Sequence, residues 1–123
     1  MRCQDRAAAQ ILGAALGKVL AGKQALLVAS TDLSHFYPLE IANALDQEML
    51  RRMAAFSPEA VLEAEETGTG FACGAYAVAA AMWAARALGA QRVQVLHHST
   101  SAEQTGDASS VVGYGAAVIL QPS

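Results

Sequence analysis

Asp32 and His35 stand three residues apart at the end of an apolar run, LLVASTDLSHF, over residues 26–36. If the turn between them is tight, both point into one crevice, where they suit an acid/base pair or two ligands of a metal ion. The plainer alternative is that Asp32 caps the next helix and His35 packs beside it. Cys73 sits in a glycine-rich stretch, TGTGFACG over residues 67–74, just ahead of an alanine-rich segment. The positive end of a helix starting there favours a thiolate, which serves as a soft metal ligand or as a nucleophile. A small cysteine beside Gly74 also suits nothing more than a tight packing contact. His97 and His98 are adjacent, so strand alternation sends them to opposite sides and at most one shares a site with His35. Each also reads as a structural or solvated residue. Cys3 lacks any such context, and two cysteines so far apart form no disulfide framework, so both read as reduced thiols.

The elements that must position these residues follow from apolar spacing. Between Asp5 and Leu20, the residues Ile11, Leu12, Ala15, Leu16, Val19 and Leu20 recur at helical steps, with Asp5 as N-cap and Gly22 as the stop. Residues 26–36 read as a strand buried on both faces, because the run is apolar without alternation and ends in turn formers. Its carboxyl end, where Asp32 and His35 lie, is where open α/β sheets bind ligands. Pro38 opens a helix whose Ile41, Leu45, Met49 and Met53 face the core, with Glu40, Asp46, Gln47, Arg51 and Arg52 turned to water. Ser57-Pro58-Glu59 starts a short helix ending near Glu66, and residues 67–74 form a loop. Residues 76–88 form a third long helix ended by Gly89, residues 92–96 a strand, residues 97–110 a polar connection, and residues 111–120 a last strand interrupted by Gly113 and Gly115.

Composition excludes several classes. A net charge of −3 and a pI near 5.5 do not make a nucleic-acid surface. Gly68, Gly70 and Gly74 follow no strand, lack the dinucleotide spacing and precede no P-loop lysine. Thr105-Gly106-Asp107 lacks the alternating acidic ligands of a calcium loop and reads as a turn. No segment is apolar and long enough to span a bilayer, and no secretory leader is read at Met1, so a cytoplasmic location is expected.

At 123 residues and 54% hydrophobic, the chain reads as a single α/β domain over residues 1–123. The expected architecture is part of a three-layer sandwich: a mostly parallel sheet of about three strands flanked by helices, its first two strands related by a right-handed crossover. So few buried strands leave open edges. Another half or another copy of the chain is expected to complete the sheet, as a homo-oligomer or with a separate amino-terminal half.

Three segments together carry a family resemblance: ASTDLSHF at residues 29–36, FACGAYAV at 71–78 and STSAEQTGDASSVVGYGAA at 99–117. In order and approximate spacing they resemble the carboxyl-terminal half of the MEMO-like proteins, also known as component B of the AmmeMemoRadiSam group. The resemblance implies a fold similar to class III extradiol dioxygenases, built around a metal pocket. It implies that the pocket draws two histidines from an amino-terminal half, that Cys73 is a further ligand, and that Asp32 and His35 line the same pocket. His97 and His98 do not stand in the positions of those two histidines. A carboxylate, an imidazole and a thiolate together suit iron, copper or zinc. The function expected is therefore a contribution of Cys73, His35 and Asp32 to a transition-metal pocket of redox or dioxygenase type. Two alternatives stand beside it: a non-catalytic assembly module, and a metal-free enzyme with Cys73 as nucleophile, His35 as its base and Asp32 orienting the imidazole.

Overall fold

A computed structural model describes residues 5–122. Cys3 and the start of the chain, on which the leader and inert-thiol readings rest, lie outside the described residues. Among the described residues, four helices of ten residues or more and a short fifth accompany three strands, which makes the chain α/β.

The first helix, α1 (Arg6–Leu20), starts where predicted, with Asp5 accepting a 2.9 Å hydrogen bond from the Ala7 amide. Its buried face is not the predicted one. Ala9, Gly13 and Gly17 face inward, while Ile11 and Val19 are 70% and 58% exposed. The partner explains the choice: α1 packs along the alanine-rich α4 (Ala75–Ala87), and the backbones meet so closely that a Cβ on Gly13 would lie 2.7 Å from the Trp83 Cβ. Small residues on both helices permit this approach, and Ile11, Leu12 and Val19 of α1 are left facing out.

After residue 38 the chain forms α2 (Leu39–Ala54), whose buried stripe is Ala42, Asp46, Met49, Leu50 and Met53. Ile41, expected inside, is half exposed, and Asp46, expected in water, is fully buried. The stripe is turned by about one residue from the predicted one, so that Asp46 meets the sheet. On the water side Glu48 accepts hydrogen bonds from Arg51 and Arg52, which hold its carboxyl down to about 2. Arg52 also donates to the Ala60 carbonyl at 2.7 Å and so ties α2 to α3 (Pro58–Thr67). Ser57 caps α3 as the sequence predicts, and left-handed Gly68 ends it just past the expected end near Glu66. Helix α2 packs on all three strands, α3 bridges α2 and α4, and Met49, Leu50, Val61, Leu62, Ala79 and Met82 fill the core between them.

The strands are β1 (His35–Tyr37), β2 (Arg92–Thr100) and β3 (Val111–Leu120), in the order β1-β3-β2, with both pairings antiparallel. This corrects the expectation of a mostly parallel sheet. The crossover does return β2 in the direction of β1, but β3 lies between them and runs opposite to both. Strand β2 is also longer than predicted, because the ten-residue β3 draws residues 97–100 into its ladder; the helix α5 (Ala102–Thr105) then turns the chain back. A register shift between Val95 and His97 switches the inward side of β2, leaving His97 exposed while His98 points toward α2.

The largest departure lies at residues 26–34. Predicted as most of a strand over residues 26–36, they form no ladder among the described residues, and their backbone bonds to β3 are Leu33 N to Gly113 O (2.9 Å) and Gly113 N to Ser34 O (2.8 Å). Beyond that point a cavity of about 960 Å³ opens, lined by Leu26, Leu27 and Val28 on one side and by residues 115–121 of β3 and its end on the other. Leu26 is 89% exposed and Val28 71%. The apolar run has the composition of a doubly covered strand, but among the described residues no strand pairs with residues 26–32.

Candidate metal centre

Two backbone segments are fastened together to make the site. Thr31 Oγ1 accepts from the Gly74 amide at 2.7 Å and donates to the Asp32 carbonyl at 2.8 Å. The Cys73 amide donates to the same carbonyl at 3.3 Å, and the Asp32 amide donates to Cys73 Sγ at 3.3 Å. Gly74 makes this possible, since a Cβ there would stand 2.6 Å from the Ser30 carbonyl oxygen. The glycine after the cysteine thus lets the loop before α4 lie against residues 30–32. Cys73 is brought beside Asp32 although 41 residues separate them in sequence.

His35 reaches the same place by a backbone irregularity. Phe36 is an extra residue in β1, where the register shifts between His35 and Tyr37, and it adopts a left-handed φ of 67°. A bulky residue in that region is strained, and a bulge of this kind re-aims the side chains beside it. Here the side chain beside it is His35, whose ring lies 5.6 Å from that of Phe36. Tyr37 beyond the bulge stacks on Phe71 at 5.9 Å, which anchors the strand to the loop carrying Cys73.

Asp32, His35 and Cys73 therefore converge, with one ligand atom from each lying within 4.8 Å of the others. His35 Nε2 and Asp32 Oδ2 are 3.6 Å apart. That is too long for a good hydrogen bond. It matches the separation of about 3.3–3.8 Å between neighbouring ligands of one tetrahedral metal ion, given bond lengths near 2.0–2.3 Å. The side chains of His35 and Asp32 are 39% and 47% exposed, and Cys73 is exposed, so the three line an open wall. The sulfur's hydrogen-bonding neighbours are the Asp32 amide and Thr31 Oγ1. A bond from Cys73 to His35, which the nucleophile alternative needs, is not among those of the described residues.

His98 joins a different group. Its Nε2 lies 2.8 Å from Oδ2 of the buried Asp46, and Oδ1 of Asp46 accepts from the Ser34 amide at 2.9 Å. Sequence reasoning missed Asp46. The signal was present, because Ala42, Asp46, Met49, Leu50 and Met53 form one helical stripe, and a carboxylate on an apolar stripe needs buried partners.

Residues 1–118 match the family model described as Memo-like protein. The chain belongs to the Memo-like family. It is 39% identical over 93 residues to a MEMO1 family protein of Methanothermobacter thermautotrophicus, covering 76% of this chain and 34% of that protein. It is 33% identical over 121 residues to a MEMO1 family protein of Methanococcus vannielii, covering 97% of this chain and 43% of that one. This Memo-like chain thus spans less than half the length of these relatives. No helix among its described residues is long and apolar enough to cross a membrane.

Proposed function

We propose that this Memo-like chain supplies one wall of a transition-metal pocket, with Cys73, His35 and Asp32 as ligands. The observation that carries the reading is the spacing of the three donor atoms, above all the 3.6 Å between His35 Nε2 and Asp32 Oδ2. The mixed sulfur, nitrogen and oxygen set suits iron, copper or zinc, and with iron or copper it would supply redox or dioxygenase-type chemistry. The chain's own part is to fix the donors: Thr31 and Gly74 lock Cys73 to Asp32, and the Phe36 bulge presents His35. The pocket is read as cytoplasmic, in keeping with the sequence. Titrating the purified full chain with Zn²⁺, together with elemental analysis for iron and copper, tests the proposal. One equivalent of metal per chain is expected, and no binding above trace occupancy rejects it.

A second reading, that the chain works as one part of an assembly, is favoured by its uncovered apolar surface. Leu26 and Val28 are largely exposed beside a β3 edge that β1 pairs only at Val111 and Val112. An extended apolar strand would fit the cavity between them, pairing with backbone on both sides. The occupant we assign is a strand from the remainder of a Memo-like chain, because the relatives carry more than half their length outside the region matched here. Co-expression with the unmatched part of the Methanothermobacter relative is expected to give a one-to-one complex, weakened by Leu26→Lys with Val28→Lys. A homodimer sealed by the same residues, or a monomer indifferent to both, overturns that assignment.

A further inference from the structure

Behind the metal-binding wall lies a buried polar group that takes no part in holding a metal. Asp46, with its side chain wholly inaccessible, divides its carboxylate between two elements: Oδ1 accepts from the Ser34 amide at 2.9 Å, and Oδ2 meets His98 Nε2 at 2.8 Å. Ser34 stands between two of the proposed ligands, two residues after Asp32 and one before His35. The same segment is gripped by β3 through Leu33 N to Gly113 O and Gly113 N to Ser34 O. The loop is thus clamped at its middle, by a helix carboxylate and by the strand glycine that lies against it. Its two ligands are left free to project outward.

We infer that Asp46 is a positioning residue of the metal centre, with His98 as its anchor on β2. The inference rests on the metal reading and deepens it. The carboxylate is suited to this because it accepts at both oxygens, so one buried side chain ties α2, β2 and the ligand loop together. A neutral amide in its place has one accepting atom: it either turns its NH₂ on the Ser34 amide, or keeps that amide only by donating to a His98 Nε2 in its other tautomer. Either way the charge-assisted tie from the ligand loop through the carboxylate to β2 is weakened behind Asp32 and His35. Groups that orient metal ligands from behind contribute to affinity without touching the ion.

The test measures Zn²⁺ affinity of the full chain by competition with a chromophoric chelator, alongside thermal unfolding and native-state amide exchange at Ser34. Asp46→Asn is chosen because Asp46→Ala leaves two buried donors unpaired and threatens the fold. In Asp46→Asn, zinc affinity is expected to fall about 10–100-fold at a temperature where the protein is still folded. Exchange at Ser34 is expected to quicken by about tenfold. Val61→Ala, which opens a cavity in the core on α3, supplies the control: it lowers the melting temperature but is expected to keep zinc affinity within about twofold. Wild-type zinc binding that Asp46→Asn leaves unchanged overturns the inference, as does unaltered exchange at Ser34. Equal loss of affinity in Val61→Ala also overturns it, because Asp46 would then act through stability alone. If the wild-type chain takes no zinc, the metal reading itself fails, and the positioning role falls with it.

Discussion

Cys73→Ala is expected to lower zinc affinity by more than about 100-fold, exceeding what loss of an outer-shell partner costs, while leaving the fold intact. The two halves of this expectation have separate physical grounds. A thiolate is the strongest of the three donors for zinc or copper, and without it an exposed imidazole and an exposed carboxylate remain. Cys73 is itself exposed, so its removal opens no cavity, and the change in stability should stay within about 0.5 kcal/mol. The lock between the two loops survives as well, because Thr31 Oγ1 holds the Gly74 amide and the Asp32 carbonyl without help from sulfur. Cobalt offers a second readout, since a thiolate-to-cobalt charge-transfer band in the wild-type chain should vanish in Cys73→Ala. If affinity and band both survive the substitution, Cys73 is no ligand. Its contacts with Asp32 and Thr31 would then be its whole role.

What the sequence made legible here was local. Caps at Asp5 and Ser57 and the presence of the helices they open concern residues within a few positions of one another, and these stand in the structure where the sequence put them. Asp32, His35 and Cys73 were also legible, because ionisable and soft side chains beside turn formers have few structural uses, and they do meet. What failed depended on the partner of each face. The Gly13 and Gly17 face of α1 buries because α4 is built of alanine, a fact no period within α1 contains. Asp46 was assigned to water because a carboxylate usually belongs there, and only the approach of Ser34 and His98 makes its burial tolerable. The run at residues 26–36 reads as a strand from its apolar composition, but composition records how deeply a segment should be buried. A ladder needs a neighbour, and β3 reaches this segment only near Gly113.

Gly113→Ala is expected to destabilise the chain by about 3 kcal/mol, at the upper end of what overpacking a core costs. The added methyl would overlap the carboxylate of Asp46, and neither side has room to yield. Moving the carboxylate abandons the Ser34 amide or His98, and a buried donor left unpaired costs about 1–3 kcal/mol. Moving the strand breaks the two hydrogen bonds by which Gly113 holds residues 33 and 34. Gly115 supplies the contrast within the same strand. A methyl there would meet side-chain carbons of Leu33 and Leu50 at 3.1 Å, apolar ends that can shift by a few tenths of an ångström, so Gly115→Ala should cost no more than about 1 kcal/mol. Urea midpoints of both variants measure the difference. The cause is isolated by repeating Gly113→Ala in an Asp46→Asn background and in an Asp46→Ser background. The amide is as bulky as the carboxylate, so the overlap and the full cost should persist in the first. Shortening the side chain removes the overlap, so in the second the extra cost of Gly113→Ala should fall by at least about 1 kcal/mol. A penalty undiminished in the Ser background would mean that β3 requires glycine for its own backbone. The two interruptions that the sequence marks in this strand would then have one origin, whereas the structure gives Gly113 a distinct role: it leaves the space in which Asp46 sits.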